Sequence, residues 1–241
     1  MKDLSIVMYS HSDYSDAWKV FFGQINENFH GTATKKYIFA DKKAERIPEK
    51  WEFVEYDEPL PYNKRVAQCL ESVETEYCIF HHEDMPLYSR PDFAKLEMCK
   101  NLLETDDLDY VKLIKGGEAR DMPYGDYKGL YKIPHDSQYI FAIQPSIWKV
   151  DSLKLVYEKT MVNHIREFEP RAQEICKYFK IKGLYTHDGE PKRGELHWDT
   201  SIYPYIATAI VKGKWNLSQY EKELGTLLKK YIIDPSDRGT I

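Results

Sequence analysis

Two adjacent carboxylates, Glu83 and Asp84, follow the apolar run Tyr77-Cys78-Ile79-Phe80 and the pair His81-His82. A short run that is hydrophobic at every position reads as a strand covered on both faces. The acids therefore stand where a buried strand leaves its sheet, and charge there is unfavourable unless something positive is held. Hard cations such as Mg2+ or Mn2+, bridging to substrate phosphates, take one or two carboxylates of this kind. The alternative is that one acid caps the next turn and the other is solvated. A second acidic cluster, Asp106-Asp107-Leu108-Asp109, contains a D-x-D but precedes its strand, which puts it at the wrong edge of a sheet. It reads as a solvated loop and helix end.

The elements that must position these residues alternate between strand and helix. A first strand is expected over 4–9, then the polar turn Ser10-His11-Ser12-Asp13, then a helix carrying Trp18, Phe21, Phe22, Ile25 and Phe29 at three- and four-residue spacing. Strands follow at 37–40, ending at Asp41, and at 51–56. A helix over 63–73 has Pro61 before it and Val66, Leu70 and Val73 on one face. After the strand at 77–80 come a helix opened by Pro91 and Asp92, a strand at 110–114, a Gly- and Tyr-rich loop over 116–134, and a strand at 139–143. The last third offers helices over 151–164 and 170–179, a strand or hairpin at 184–197, and a closing helix with Leu217, Tyr220, Leu224, Leu227 and Leu228. This order implies an α/β fold, one domain with a mostly parallel central sheet and helices on both faces.

Ligands of open α/β sheets bind at the carboxyl ends of the strands. The first turn there holds no glycine, which excludes both the dinucleotide fingerprint and the P-loop, whose backbones must approach phosphate closely. The 241 residues carry 34 Lys plus Arg against 39 Asp plus Glu, and this net charge of -5 argues against nucleic acid as the main partner. No apolar stretch approaches the roughly 18 to 20 residues needed to span a bilayer, and the opening residues do not read as a signal peptide. A cytoplasmic location, at most peripheral to a membrane, is expected. Cys69, Cys78, Cys99 and Cys176 lack zinc-site spacing and read as reduced core thiols.

Several stretches resemble a group of bacterial and viral GT-A-type glycosyltransferases. They are Ile6-Val7-Met8-Tyr9-Ser10-His11-Ser12-Asp13 continuing to Phe21-Phe22, the 70–84 stretch ending in Glu-Asp, Tyr139-Ile140-Phe141-Ala142-Ile143-Gln144-Pro145-Ser146-Ile147-Trp148-Lys149, Glu167-Phe168-Glu169, Val211-Lys212-Gly213-Lys214-Trp215 and Arg238-Gly239. The likeness runs through nearly the whole chain in the same order. It implies a nucleotide-sugar-dependent transferase in which 1–115 forms the nucleotide-sugar-binding half, 116–215 the acceptor and catalytic half, and 216–241 a closing helix and tail.

In such proteins the first turn and the end of the second strand hold the nucleoside, which here implies Ser10, Asp13 and Asp41, with Arg65 on the nearby helix. The acidic strand exit holds the diphosphate through Mn2+ or Mg2+, a role that falls to Asp84 with Glu83 beside it. His82-Glu83-Asp84 departs from a strict D-x-D, which puts the metal dependence in question. Glycosyl transfer needs a base for the acceptor hydroxyl. Glu167 and Glu169 are the candidates, because Pro170 suits the first position of a helix and a helix N-terminus favours the ionised carboxylate. Lys212 and Lys214 would neutralise the leaving diphosphate. His197 is a candidate metal or phosphate contact, with Asp199 in reserve. Gln144, Trp148 and Tyr127 would line the acceptor side, and Tyr124, Tyr127 and Tyr131 are the loop aromatics suited to stacking on a sugar.

The reading is a glycosyltransferase that moves a sugar, with inversion, from a nucleotide-diphosphate donor to a glycan or glycolipid acceptor of surface polysaccharide or glycoconjugate biosynthesis. Two alternatives stand beside it: a metal-dependent nucleotidyltransferase, and a carbohydrate-binding module that has lost its chemistry.

Overall fold

A computed structural model of the chain describes residues 2–29, 35–44, 47–117, 120–162 and 165–241. β1 (Leu4–Tyr9) leads through a short 3-10 turn (Ser12–Tyr14) into α1 (Ser15–Asn28), followed by β2 (Lys35–Ala40), β3 (Glu52–Glu55), α2 (Tyr62–Leu70), β4 (Tyr77–His82) and α3 (Phe93–Thr105). Then come β5 (Tyr110–Lys112), β6 (Met122–Pro123), β7 (Leu130–Lys132), β8 (Ser146–Lys149), α4 (Val150–Lys159), α5 (Ile165–Tyr178) and β9 (Gly183–Thr186). A small hairpin, β10 (Ile210–Val211) and β11 (Lys214–Trp215), precedes α6 (Leu217–Lys230).

β1 to β9 form one nine-stranded sheet in the order β3-β2-β1-β4-β8-β5-β9-β7-β6. The first four strands of that order are parallel, which is the sheet that the alternation of strands and helices implies. β8 enters antiparallel between β4 and β5, and β9 pairs parallel with β5. The carboxyl ends of β1, β2, β4, β5 and β9 therefore share one edge. Alternation along β1 sends Ile6 and Met8 to one face and Val7 and Tyr9 to the other. The first face is covered by Trp18, Phe21 and Ile25 of α1, Leu96 and Leu103 of α3 and Leu224 and Leu228 of α6. The second is covered by Val66 and Leu70 of α2, Val156 of α4 and Phe168 and Ala172 of α5. Each fully buried side chain of this size contributes about 1.5–3 kcal/mol. All four cysteines are buried and unbridged, and among the described residues no helix is long and apolar enough to cross a membrane.

Four elements differ from the sequence reading. The run 139–143 is irregular, although Ile140 and Phe141 are buried. Its backbone groups are taken by side chains: the Tyr110 hydroxyl donates to the Ile140 carbonyl, and the Ile143 N–H donates to Glu169 Oε1 at 2.5 Å. The helix expected from Pro170 starts at Ile165 instead, with Pro170 inside it. Phe168, Ala172 and Cys176 are buried at four-residue spacing, so burial carries the helix through a proline that withholds the donor for the Arg166 carbonyl. Residues 116–134, read as a binding loop, contain the edge hairpin β6-β7, where Tyr131 stacks on Tyr185 at 5.2 Å. The helix expected over 151–164 ends at Lys159, and Asn163 and His164 lie outside the described residues. Asp109 sits at the opposite edge from Glu83 and Asp84, as its place before β5 requires, with its carboxylate accepting from Ser152 Oγ at 2.6 Å and the Lys182 N–H at 2.7 Å.

Candidate active site

An open cleft of about 1070 Å3 lies at the shared carboxyl edge, lined by Tyr9, His82, Glu83, Asp84, Arg166 and Lys212 together with neighbouring residues of the first turn and the β10-β11 hairpin. β4 delivers the acids: Tyr9 of β1 is the register partner of His82, so the two residues after β4 emerge beside the first turn. Burial pushes the Glu83 carboxyl up, the neighbouring Asp84 charge adds to the rise, and the Ser10 hydroxyl and Arg238 oppose it. Burial likewise raises Asp84, against backbone N–H groups of its own residue and Ile210. Both side chains stay partly open to the cleft, which tempers these shifts. Among the described residues no lysine, arginine or histidine forms an ion pair with either acid. Two hard, poorly neutralised carboxylates beside an open cleft fit a Mg2+ or Mn2+ ion whose remaining ligands are phosphate oxygens and water. His82 is held by the Tyr62 hydroxyl at 2.9 Å, and burial pushes its pKa down to about 4, so the ring is neutral.

The first turn is built around Asp41, which follows β2. Its carboxylate accepts from the Ser12 N–H at 2.6 Å and from Ser12 Oγ at 2.7 Å. Burial raises its pKa, but these bonds and His11 outweigh that, and the carboxyl lies below its usual range. His11, Asp41 and Glu58 converge closely enough to suggest a metal site. The hydrogen bonds argue otherwise. His11 Nδ1 accepts the Asp13 N–H at 3.1 Å, which leaves the ring proton on Nε2, 3.1 Å from Glu58 Oε1. A metal on Nε2 would move that proton to Nδ1, where a donor already points. Ser10 is buried, with its hydroxyl accepting from Trp18 Nε1 at 2.6 Å. The Asp13 side chain is 79% exposed and faces solvent.

Arg65 lines an adjoining pocket of about 420 Å3 with Tyr9 and Tyr62. Its Nε donates to the Leu60 carbonyl at 2.6 Å, and its guanidinium lies 5.2 Å from the centre of the Tyr56 ring. Tyr9 stacks on Tyr56 at 5.2 Å. An aromatic wall edged by a guanidinium suits a flat ring with acceptor atoms on its rim.

Of the other residues singled out in the sequence, the structure brings Lys212 to the cleft and leaves the rest outside its lining. Lys212 and Gly213 turn between β10 and β11 with φ of 51° and 78°. Two successive positive φ values make the tight hairpin turn, and Lys212 adopts it without the freedom of glycine. Lys214 is exposed on β11. His197 bonds the Tyr220 hydroxyl at 2.7 Å and Asp199 pairs with Arg193 at 2.9 Å, and neither is among the residues that line the cleft with Asp84. Gln144 lies just before β8 at the same edge as the cleft and accepts from the Tyr205 hydroxyl at 2.6 Å. Trp148 is not an acceptor wall: it sits mid-strand in the core, stacked on Tyr110 at 4.1 Å. Tyr124 and Tyr127 stack on each other in the edge hairpin at 6.0 Å, with Tyr127 exposed. Glu167 is exposed in the first turn of α5, next to Arg166, whereas Glu169 is committed to the Ile143 N–H. His82, which leaves β4 with the acids, lines the cleft as its position implies, whereas sequence reasoning missed Tyr9 and Arg166 as lining residues. Arg166 was not legible, because its approach depends on where α5 begins.

No protein-family model matches the chain, and no curated protein matches it. Among solved structures it is similar to a 4-diphosphocytidyl-2C-methyl-D-erythritol synthase from Anaerococcus prevotii, with a TM-score of 0.46, 12% identity and coverage of 76% of this chain and 87% of that one. The bifunctional IspDF from Campylobacter jejuni matches with a TM-score of 0.46 and 11% identity over 78% of this chain and 50% of that one. A CMP:2-keto-3-deoxy-manno-octonic acid synthetase complexed with CTP matches with a TM-score of 0.46 and 11% identity over 76% of this chain and 88% of that one. Likenesses this distant assign no activity to the chain.

Proposed function

We propose that this protein is a nucleotide-utilising transferase, with the donor's phosphates over Glu83 and Asp84 and its base in the pocket walled by Tyr9, Tyr62 and Arg65. The observation that carries this reading is the pair of acids, without an ion-pair partner among the described residues, facing an open cleft with cationic Lys212 and Arg166 on the same walls. A divalent cation held by the pair would supply the charge that binds the donor phosphates and eases departure of the leaving group. Lys212 and Arg166 then meet the phosphate oxygens as negative charge develops on them, while Tyr9 and Tyr62 exclude water from the base.

The finer reading is inverting transfer of a sugar from a nucleoside-diphosphate donor to a glycan acceptor, with Glu167 as the base. Glu167 is the better of the two glutamates because it is open and follows a cleft residue, whereas Glu169 already accepts a backbone N–H. A second reading is nucleotidyl transfer from a nucleoside triphosphate, whose phosphates the same two cleft cations, Lys212 and Arg166, would meet.

Incubation of the full chain and Mn2+ with UDP-, GDP- and dTDP-sugars plus a glycan acceptor, and with CTP plus a sugar-phosphate acceptor, separates the two. Release of nucleoside diphosphate marks sugar transfer, and release of pyrophosphate marks nucleotidyl transfer. Binding of a glycan without either product would mark a binding module. For sugar transfer, Glu167→Gln is expected to lower kcat on the order of 100-fold or more with donor affinity unchanged. Glu169→Gln, whose amide oxygen still accepts from Ile143, is expected to retain turnover. The reverse outcome would make Glu169 the base.

A further inference from the structure

Arg238 lies 222 residues from Asp16 in sequence and is fastened to it by a two-pronged contact, Nε to Oδ2 at 2.9 Å and Nη2 to Oδ1. The same guanidinium donates to the Asp13 carbonyl at 3.3 Å and to the Gly213 carbonyl at 3.3 Å, and it lies 4.8 Å from the centre of the Tyr14 ring. Asp13 and Tyr14 belong to the turn after β1, and Gly213 to the turn after β10. Tyr14, Lys212 and Gly213 all line the cleft with the acid pair. Residues 239–241 are laid beside β11, where the Trp215 N–H donates to the Gly239 carbonyl at 2.9 Å and the Ile241 N–H to the Trp215 carbonyl at 3.0 Å. Arg238 is thus carried to the cleft by a segment that is itself bonded to the hairpin presenting Lys212.

We propose that Arg238 is a positioning residue of the donor site, clamping the Lys212–Gly213 turn to the first turn so that Lys212 and Tyr14 face the phosphates at Glu83 and Asp84. The inference rests on the reading of this cleft as a nucleotide-phosphate site. Two features separate the clamp from an ordinary surface tie. Both of its ends are cleft walls, and Lys212 holds a left-handed backbone that persists only where its surroundings enforce it. The planar fork also fixes orientation as well as distance, which an ammonium does not. Arg193 offers a control elsewhere in the fold, because it joins Asp199 at 2.9 Å and Glu223 at 2.7 Å and is not among the residues lining the cleft.

The test measures dissociation constants of the full chain for Mn2+ with UDP, GDP or CTP, using whichever nucleotide binds the wild type most tightly, well below every variant's melting temperature. Arg238→Gln is expected to weaken binding about tenfold, Arg238→Lys to fall between it and wild type, and Arg193→Gln to melt earlier yet bind as wild type does. A purely structural role would lower the melting temperature of both glutamine variants alike and leave both constants unmoved. Should Arg238→Gln fail to fold, Asp16→Asn, which loosens the fork but keeps the cation, is expected to weaken binding in the same direction. Wild-type affinity in folded Arg238→Gln, or an equal loss in Arg193→Gln, overturns the clamp and leaves the donor site standing. Failure of the wild type to bind any of the three nucleotides defeats the donor site, and the clamp with it.

Discussion

Asp84→Asn is expected to abolish metal-dependent nucleotide binding while leaving the fold as stable as wild type, or more stable, at pH 8. Burial raises both the Glu83 and the Asp84 carboxyl above their ordinary values, and the charge of Asp84 adds to the rise at Glu83. A carboxyl whose folded pKa is raised favours the folded state while protonated, and that contribution is lost as pH rises through the folded value. The two acids therefore oppose folding increasingly as pH rises through their raised folded values, and least in acid. Asparagine keeps an oxygen for the Ile210 N–H and removes one of the two repelling charges. The nucleotide affinity is expected to fall on the order of 100-fold or more, the scale of deleting one partner of a desolvated charge contact. Metal-free melting curves from pH 5 to 9 check the sign, because the variant should gain on wild type as pH rises. A variant that melts earlier at every pH and binds nucleotide normally would make Asp84 a structural cap.

Trp148→Ala is expected to lower stability by about 3–5 kcal/mol, out of the roughly 5–15 kcal/mol that an ordinary domain possesses. The indole is 3% exposed, lies flat on Tyr110 at 4.1 Å and meets Phe141 at 5.9 Å. β8 is the strand that joins the parallel half of the sheet to the rest, so the cavity would open at the seam between them. Urea unfolding measures the loss as a lower midpoint. Retained stability with selective loss of acceptor binding would instead return Trp148 to the acceptor wall suggested by its sequence neighbourhood.

The parallel half of the sheet was legible because its signals are local and redundant. Tyr77-Cys78-Ile79-Phe80 has no polar position to spend on a solvent face, and the periodic Trp18, Phe21, Phe22 and Ile25 pack together as one helix surface. From those elements alone, Ser10, Asp41, Glu83 and Asp84 fall at one edge. The antiparallel strands were not legible, since a two-residue strand such as Met122–Pro123 leaves no period to detect. Composition misled at 139–143, where apolar residues are buried but the backbone bonds go to Tyr110 and Glu169. Pro170 misled for a related reason, because the burial of Phe168 outweighs the local preference of proline for a helix start. Arg238 could not be placed by any local rule, as its partners lie at the other end of the chain.

The central claim, that Glu83 and Asp84 hold nucleotide phosphates through a divalent cation, is tested most directly by thermal shift. Wild type and Asp84→Asn are melted with UDP, GDP, CMP, dTDP and CTP, each with and without Mn2+. A ligand at a hundred times its dissociation constant stabilises the fold by about 2.7 kcal/mol. The account predicts that at least one nucleotide raises the wild-type melting temperature only when Mn2+ is present, and that Asp84→Asn loses the shift. No shift with any nucleotide, or a shift that survives in Asp84→Asn, would contradict it.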